Sequence, residues 1–87
     1  MKIIKKKIWP EYFDLILFGK KKFELRLNDF EIHEGDVLLL EEWDPKIQQY
    51  TGRTIEKKVG YILRFKTDAL FWPEKDVKEK GLQIISL

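Results

Sequence analysis

The chain has 87 residues, 44% of them apolar, with 17 basic and 15 acidic side chains and a formal net charge of +2. That length gives one domain, residues 1–87, with room for one core and one shallow site. The charge is dense but nearly balanced, which excludes a highly basic nucleic-acid tail and leaves a local basic patch open.

The residue inventory narrows the chemistry further. Cysteine is absent, which removes disulfides, thiolate catalysis and Cys-based zinc sites. His33 is the single histidine and Ser86 the single serine, so neither a histidine cluster nor a Ser-His-Asp arrangement is expected. The longest apolar runs, such as Leu15–Phe18 and Val37–Leu40, span four residues, too short for a membrane helix. Met1-Lys2-Ile3 begins without an apolar signal region, and the expected location is cytoplasmic. Abundant Lys and Glu with a single Asn fit a heat-adapted source, or equally an AT-rich genome.

In chain order, Met1–Trp9 predicts a strand. Lys5, Lys6 and Lys7 interrupt its apolar content, as expected of a lysine-blunted edge; a phosphate-binding strand is the sharper reading. Pro10 fits the first turn of a helix, with Glu11 favourable against its dipole. Tyr12, Phe13 and Leu15–Phe18 are apolar nearly all round, predicting a short helix buried on most sides. Gly19 supplies a left-handed C-terminal residue, and Lys20–Lys22 complement the negative helix end.

Lys22–Asn28 alternates. Phe23, Leu25 and Leu27 are predicted to face a core, and Lys22, Glu24, Arg26 and Asn28 the other side. Asn28-Asp29 turns the chain, and Glu34-Gly35-Asp36 opens the next strand. Val37–Leu40 is continuously apolar and therefore central, and Asp44-Pro45 stops its ladder. Gln48–Gly52 reads as a polar loop. Arg53–Phe65 predicts a long strand with Ile55, Val59, Tyr61, Leu63 and Phe65 inward and Gly60 as a bulge. Lys66–Lys80 is a charged excursion, and Leu82–Leu87 a closing strand. The economical architecture is α+β, mainly β: a small barrel of about five or six mostly antiparallel strands with a short helix at one mouth.

One stretch stands out. Gly19-Lys20-Lys21-Lys22-Phe23-Glu24-Leu25-Arg26 matches the G-x-K-x-x-E-x-R signature and resembles the ASCH domains of the PUA-like superfamily. Pro10–Phe13, Gly35-Asp36, Glu42–Pro45 and Tyr50–Arg53 are similar to a small ASCH-related family. The resemblance covers residues 8–65 and implies a PUA-like barrel, a cleft between helix and barrel, and RNA binding. It places Lys21, Glu24 and Arg26 in that cleft, with Trp43 and Arg53 near it.

These residue types suit the task. Lys21 and Arg26 can neutralise phosphates, and an arginine offers paired donors to a phosphate or base edge. Glu24 can accept from a base amine or orient Arg26, and Trp43 can stack an unpaired base. The expected ligand is RNA or a nucleotide-like molecule, bound by a monomer without metal or cofactor. Against this stands the plainer reading that Glu24 and Arg26 form a surface ion pair worth under ~1 kcal/mol. Some ASCH-related proteins are acetylcytidine amidohydrolases, which implies an alternative role for Lys21 and Glu24 in amide hydrolysis. Those enzymes have threonine at the Glu24 position, and Glu74 and Glu79 are the carboxylates available for their further acid. A third reading is a protein-interaction module using Phe71 and Trp72. Glu41, Glu42 and Asp44 lack the spacing of a calcium loop.

Overall fold

The computed structural model describes residues 1–66, 70–83 and 85. Its elements are β1 (Ile3–Ile8), α1 (Pro10–Leu17), β2 (Val37–Asp44), β3 (Gln49–Lys58) and α2 (Glu74–Lys80). The strands form one open sheet in the order β1-β2-β3. β1 runs parallel to β2, from Ile3 opposite Val37 to Ile8 opposite Glu42. A parallel neighbour requires a crossover, and α1 lies within it. β2 then turns through residues 45–48 and pairs antiparallel with β3.

Residues opposite one another share a sheet face. Ile4, Lys6 and Ile8 therefore lie on the face of Leu38, Leu40 and Glu42. α1 sets Phe13 and Ile16, three residues apart on one side of the helix, against that face. Ile8, Phe13, Ile16, Leu38 and Leu40 are the core, with Ile4, Ile32, Ile55 and Val59 packed around them. Asp36, buried at the start of β2, ties the other end of the sheet together. Its carboxylate accepts from the amides of Lys2 (3.0 Å) and His33 (2.9 Å). Those bonds hold its pKa below the usual aspartate value, Lys2 contributing most.

The expected barrel is overturned: among the described residues there are three strands in a mixed sheet, not five or six mostly antiparallel ones. Lys22–Asn28 is not a strand. Phe23, Leu25 and Leu27 are exposed, the last by 80%. Alternation marks a strand only where a neighbour completes the ladder. Here the Arg26 side chain, rather than main chain, bonds β1 through the carbonyl of Lys7 (2.6 Å).

The long final strand is likewise corrected. β3 begins at Gln49, inside the expected loop, and ends at Lys58, before Gly60. Tyr61, Leu63 and Phe65 are exposed. The irregularity lies at Gly52 instead, where φ is +93°. Glu41 pairs with Thr54 and Trp43 with Tyr50, so residues 51–53 oppose Glu42 alone. α1 buries only Phe13 and Ile16, because it meets one sheet face and plugs no mouth. α2 rises within the charged excursion, after Pro73, and buries nothing. Of the expected closing strand, Leu82, Gln83 and Ile85 are not in a strand; Ile84, Ser86 and Leu87 lie outside the described residues. No helix among the described residues is long and apolar enough to cross a membrane.

Candidate functional site

The site begins with the end of α1. Gly19 adopts φ +76°. Its amide bonds the carbonyl of Ile16 (3.1 Å), and the amide of Lys20 reaches that of Leu15 (2.9 Å). This paired 5→2 and 6→1 closure is the Schellman motif, for which glycine is the least strained residue. Lys21 also donates its amide to Leu15 (2.9 Å), so its backbone is set by the helix end.

Glu24 then draws two cations together. Lys21 Nζ donates to Glu24 Oε1 at 2.6 Å, and Arg26 Nε to Glu24 Oε2 at 2.9 Å. The Lys21 and Glu24 side chains are mostly buried, with 16% and 17% exposure; Arg26 keeps 30%. Lys21 Nζ also donates to the Phe23 carbonyl at 2.9 Å. Two of the three ammonium donors and two of the five guanidinium donors are engaged. The remaining donors have no hydrogen-bond partner among the described residues; a half-exposed Tyr12 stands beside them, its ring centroid 5.9 Å from Lys21 Nζ. Trp9 stacks near Tyr12 at 6.4 Å.

Trp43 is linked to this triad through Lys7. The Lys7 carbonyl accepts from Arg26, while its Nζ sits 3.8 Å from the Trp43 ring centroid. Arg53 belongs to a different cluster, on the α1 side of the sheet. It donates to Glu42 through Nε (2.9 Å) and Nη2 (2.6 Å), and to Asp14 Oδ1 (2.9 Å). Thr51 Oγ1 donates to the same Glu42 carboxylate at 2.5 Å. The Arg53 guanidinium lies 4.4 Å from the Phe13 ring centroid. Arg53 holds the Glu42 carboxyl below its usual pKa, and Glu42, with Asp14, pushes the guanidinium's pKa up. The bulge at Gly52 turns Thr51 and Arg53 to the same acid.

A family model described as a domain of unknown function, DUF3850, matches residues 3–71. The chain belongs to the DUF3850 family. A curated relative, an uncharacterized 12.9 kDa protein in the GpA 3' region of Escherichia phage P2, is 38% identical over 73 residues. That alignment covers 84% of this chain and 62% of the relative, so the chain spans under two thirds of the relative's length. No solved structure matches.

The DUF3850 match takes in both clusters and stops short of α2. Glu74 and Glu79 stand on α2, where Glu74 pairs with Lys78 at 3.2 Å; neither bonds the triad. Phe71 and Trp72 are exposed and meet edge to face at 6.3 Å. The described residues contain no cluster of three or more metal-ligating side chains. Sequence reasoning missed the buried Glu42 and the linking role of Lys7. Glu42 was detectable: it shares the parity of Leu38 and Leu40, and an acid on a core face needs a partner.

Proposed function

We propose that this DUF3850 domain binds single-stranded RNA at the Lys21–Glu24–Arg26 triad. The observation that carries the reading is a mostly buried carboxylate fixing two cations at 2.6 and 2.9 Å, with donors of both still unspent. Glu24 orients rather than reads: each of its oxygens is already taken by a cation. Lys21 and Arg26 contact phosphate or base oxygen, and Tyr12 offers a ring beside them. The ASCH-like signature supports the same assignment, since it covers all three triad residues. Exposed rings beside fixed cations suit an unpaired strand better than a duplex.

Titration with short single-stranded and hairpin RNAs at 50 and 200 mM salt tests this. For single strands the logarithm of affinity falls by about 0.7 per phosphate for each unit of log salt. Contacts by Lys21 and Arg26 alone then weaken binding about sevenfold over that range. Lys21→Ala with Arg26→Ala abolishes binding while the far-UV spectrum is retained. Salt-insensitive binding, or full binding by that double variant, refutes the proposal.

A further inference from the structure

We infer that Lys7, Trp43 and Tyr50 form a base-stacking station beside the triad, so that the ligand is a single strand of two or more nucleotides. This rests on the RNA-binding reading above and extends it to the size and form of the ligand. In β1, Ile3, Lys5 and Lys7 lie on the sheet face opposite the core. Trp43 and Tyr50 are cross-strand partners, and Lys7 Nζ reaches both rings, 3.8 Å from the Trp43 centroid and 5.5 Å from that of Tyr50.

The two rings divide the work. Trp43 meets Tyr50 edge to face, with centroids 4.9 Å apart and planes at 77°. That contact fixes the angle of Tyr50, yet half of Tyr50 stays exposed. The second ring, held and open, is what an unpaired base requires.

Lys7 joins this station to the triad. Its carbonyl accepts from Arg26 Nη2 at 2.6 Å, and its ammonium lies at the aromatic pair. On this inference a base on Tyr50 would bring its phosphate to the Lys7 ammonium, leaving the next phosphate for Arg26 and Lys21. A mononucleotide can occupy one end only. Lys7, Lys21 and Arg26 stand against two carboxylates, Glu24 in the triad and Glu41 opposite Lys7 on the same sheet face, so the cations remain in excess for a polyanion.

The test uses the full chain carrying Trp9→Phe and Trp72→Phe, which leaves Trp43 as the sole fluorescent indole. The probes are oligouridylates of one to eight nucleotides, with oligothymidylate and inorganic polyphosphate beside them. The expected result is Trp43 quenching by the oligonucleotides but not by polyphosphate, with affinity rising steeply from one nucleotide to two. Tyr50→Leu loses about 5- to 150-fold in affinity, the usual effect of one stacked base, and Tyr50→Phe restores it. Lys7→Ala lowers the salt slope by about 0.7, and supplies an independent reading should Tyr50→Leu fail to fold. Equal affinity for uridylate and polyphosphate, or undiminished binding by Tyr50→Leu and an unchanged slope for Lys7→Ala, overturns the station. If Lys21→Ala with Arg26→Ala still abolishes that binding, the triad stands without it. No binding by the parent chain at low salt overturns both.

Discussion

Gly19→Ala isolates the backbone feature on which the triad is built. Gly19 sits at φ +76°, and a Cβ built there meets no atom within 4 Å. Steric clash with the surroundings therefore plays no part, and the whole penalty is conformational. Placing an L-residue in the left-handed region costs about 1–2 kcal/mol. Alanine recovers about 0.4–1 kcal/mol by restricting the unfolded chain. The net loss is about 1 kcal/mol, or roughly 4–8 °C in Tm for a domain of this size. Thermal and urea unfolding followed by far-UV circular dichroism measure it. Gly19→Asn loses less, because asparagine tolerates this region better than alanine. If the triad binds RNA as proposed, affinity for it falls with Gly19→Ala too, since the Lys21 amide is held by the same closure to Leu15. A Tm equal to the parent's, or asparagine costing as much as alanine, would refute the reasoning.

Phe13 is 2% exposed at the junction of α1 and the sheet. Phe13→Ala costs about 3–5 kcal/mol against a total of about 4–13 kcal/mol for this length, so the urea midpoint falls sharply or the transition is lost. Arg53→Met strands the buried Glu42 carboxylate and lowers Tm. Adding Glu42→Met to it recovers part of that loss, because an apolar pair avoids burying an uncompensated charge; a double-mutant cycle showing simple additivity contradicts this. Acid stability follows Asp36 and Glu42, whose pKa values are both depressed in the fold. Their contribution is full above the unfolded values of about 3.9 and 4.3 and is lost as pH falls through the lower folded values. Asp36→Asn therefore lowers stability at neutral pH and flattens the acid limb of a pH–stability curve; an unchanged limb counts against the role of Asp36.

Local signals were legible wherever physics acts over a few residues. Pro10 and Glu11 open α1 as expected, Gly19 closes it in the left-handed region, Val37–Leu40 is central, and Asp44-Pro45 ends β2. β1 is the lysine-bearing edge that Lys5–Lys7 announced. The triad's membership follows from the resemblance to the G-x-K-x-x-E-x-R signature, whereas alternation alone sets Lys22, not Lys21, beside Glu24 and Arg26. Its bonds could not be read from the sequence: that Glu24 spends both oxygens on Lys21 and Arg26, and that Arg26 reaches Lys7, nineteen positions earlier, depends on where β1 runs.

The misreadings share one origin. Period-two alternation in Phe23–Leu27 and Tyr61–Phe65 states which residues could share a face, but not whether a neighbouring strand is there to pair with. The five- or six-stranded barrel needs those two segments and a closing strand at Leu82–Leu87; neither segment joins the sheet, and Leu82, Gln83 and Ile85 are not in a strand. Parallel pairing of β1 with β2 was equally invisible, because a strand carries no mark of its neighbour's direction. By itself the sequence determined caps, turns, the central strand and the chemical identity of the charged cluster, each set by steric and electrostatic preferences within a few bonds. Only the tertiary structure decided which strands pair, which face α1 covers, and which charges meet across the fold, because those depend on contacts between residues far apart in the chain.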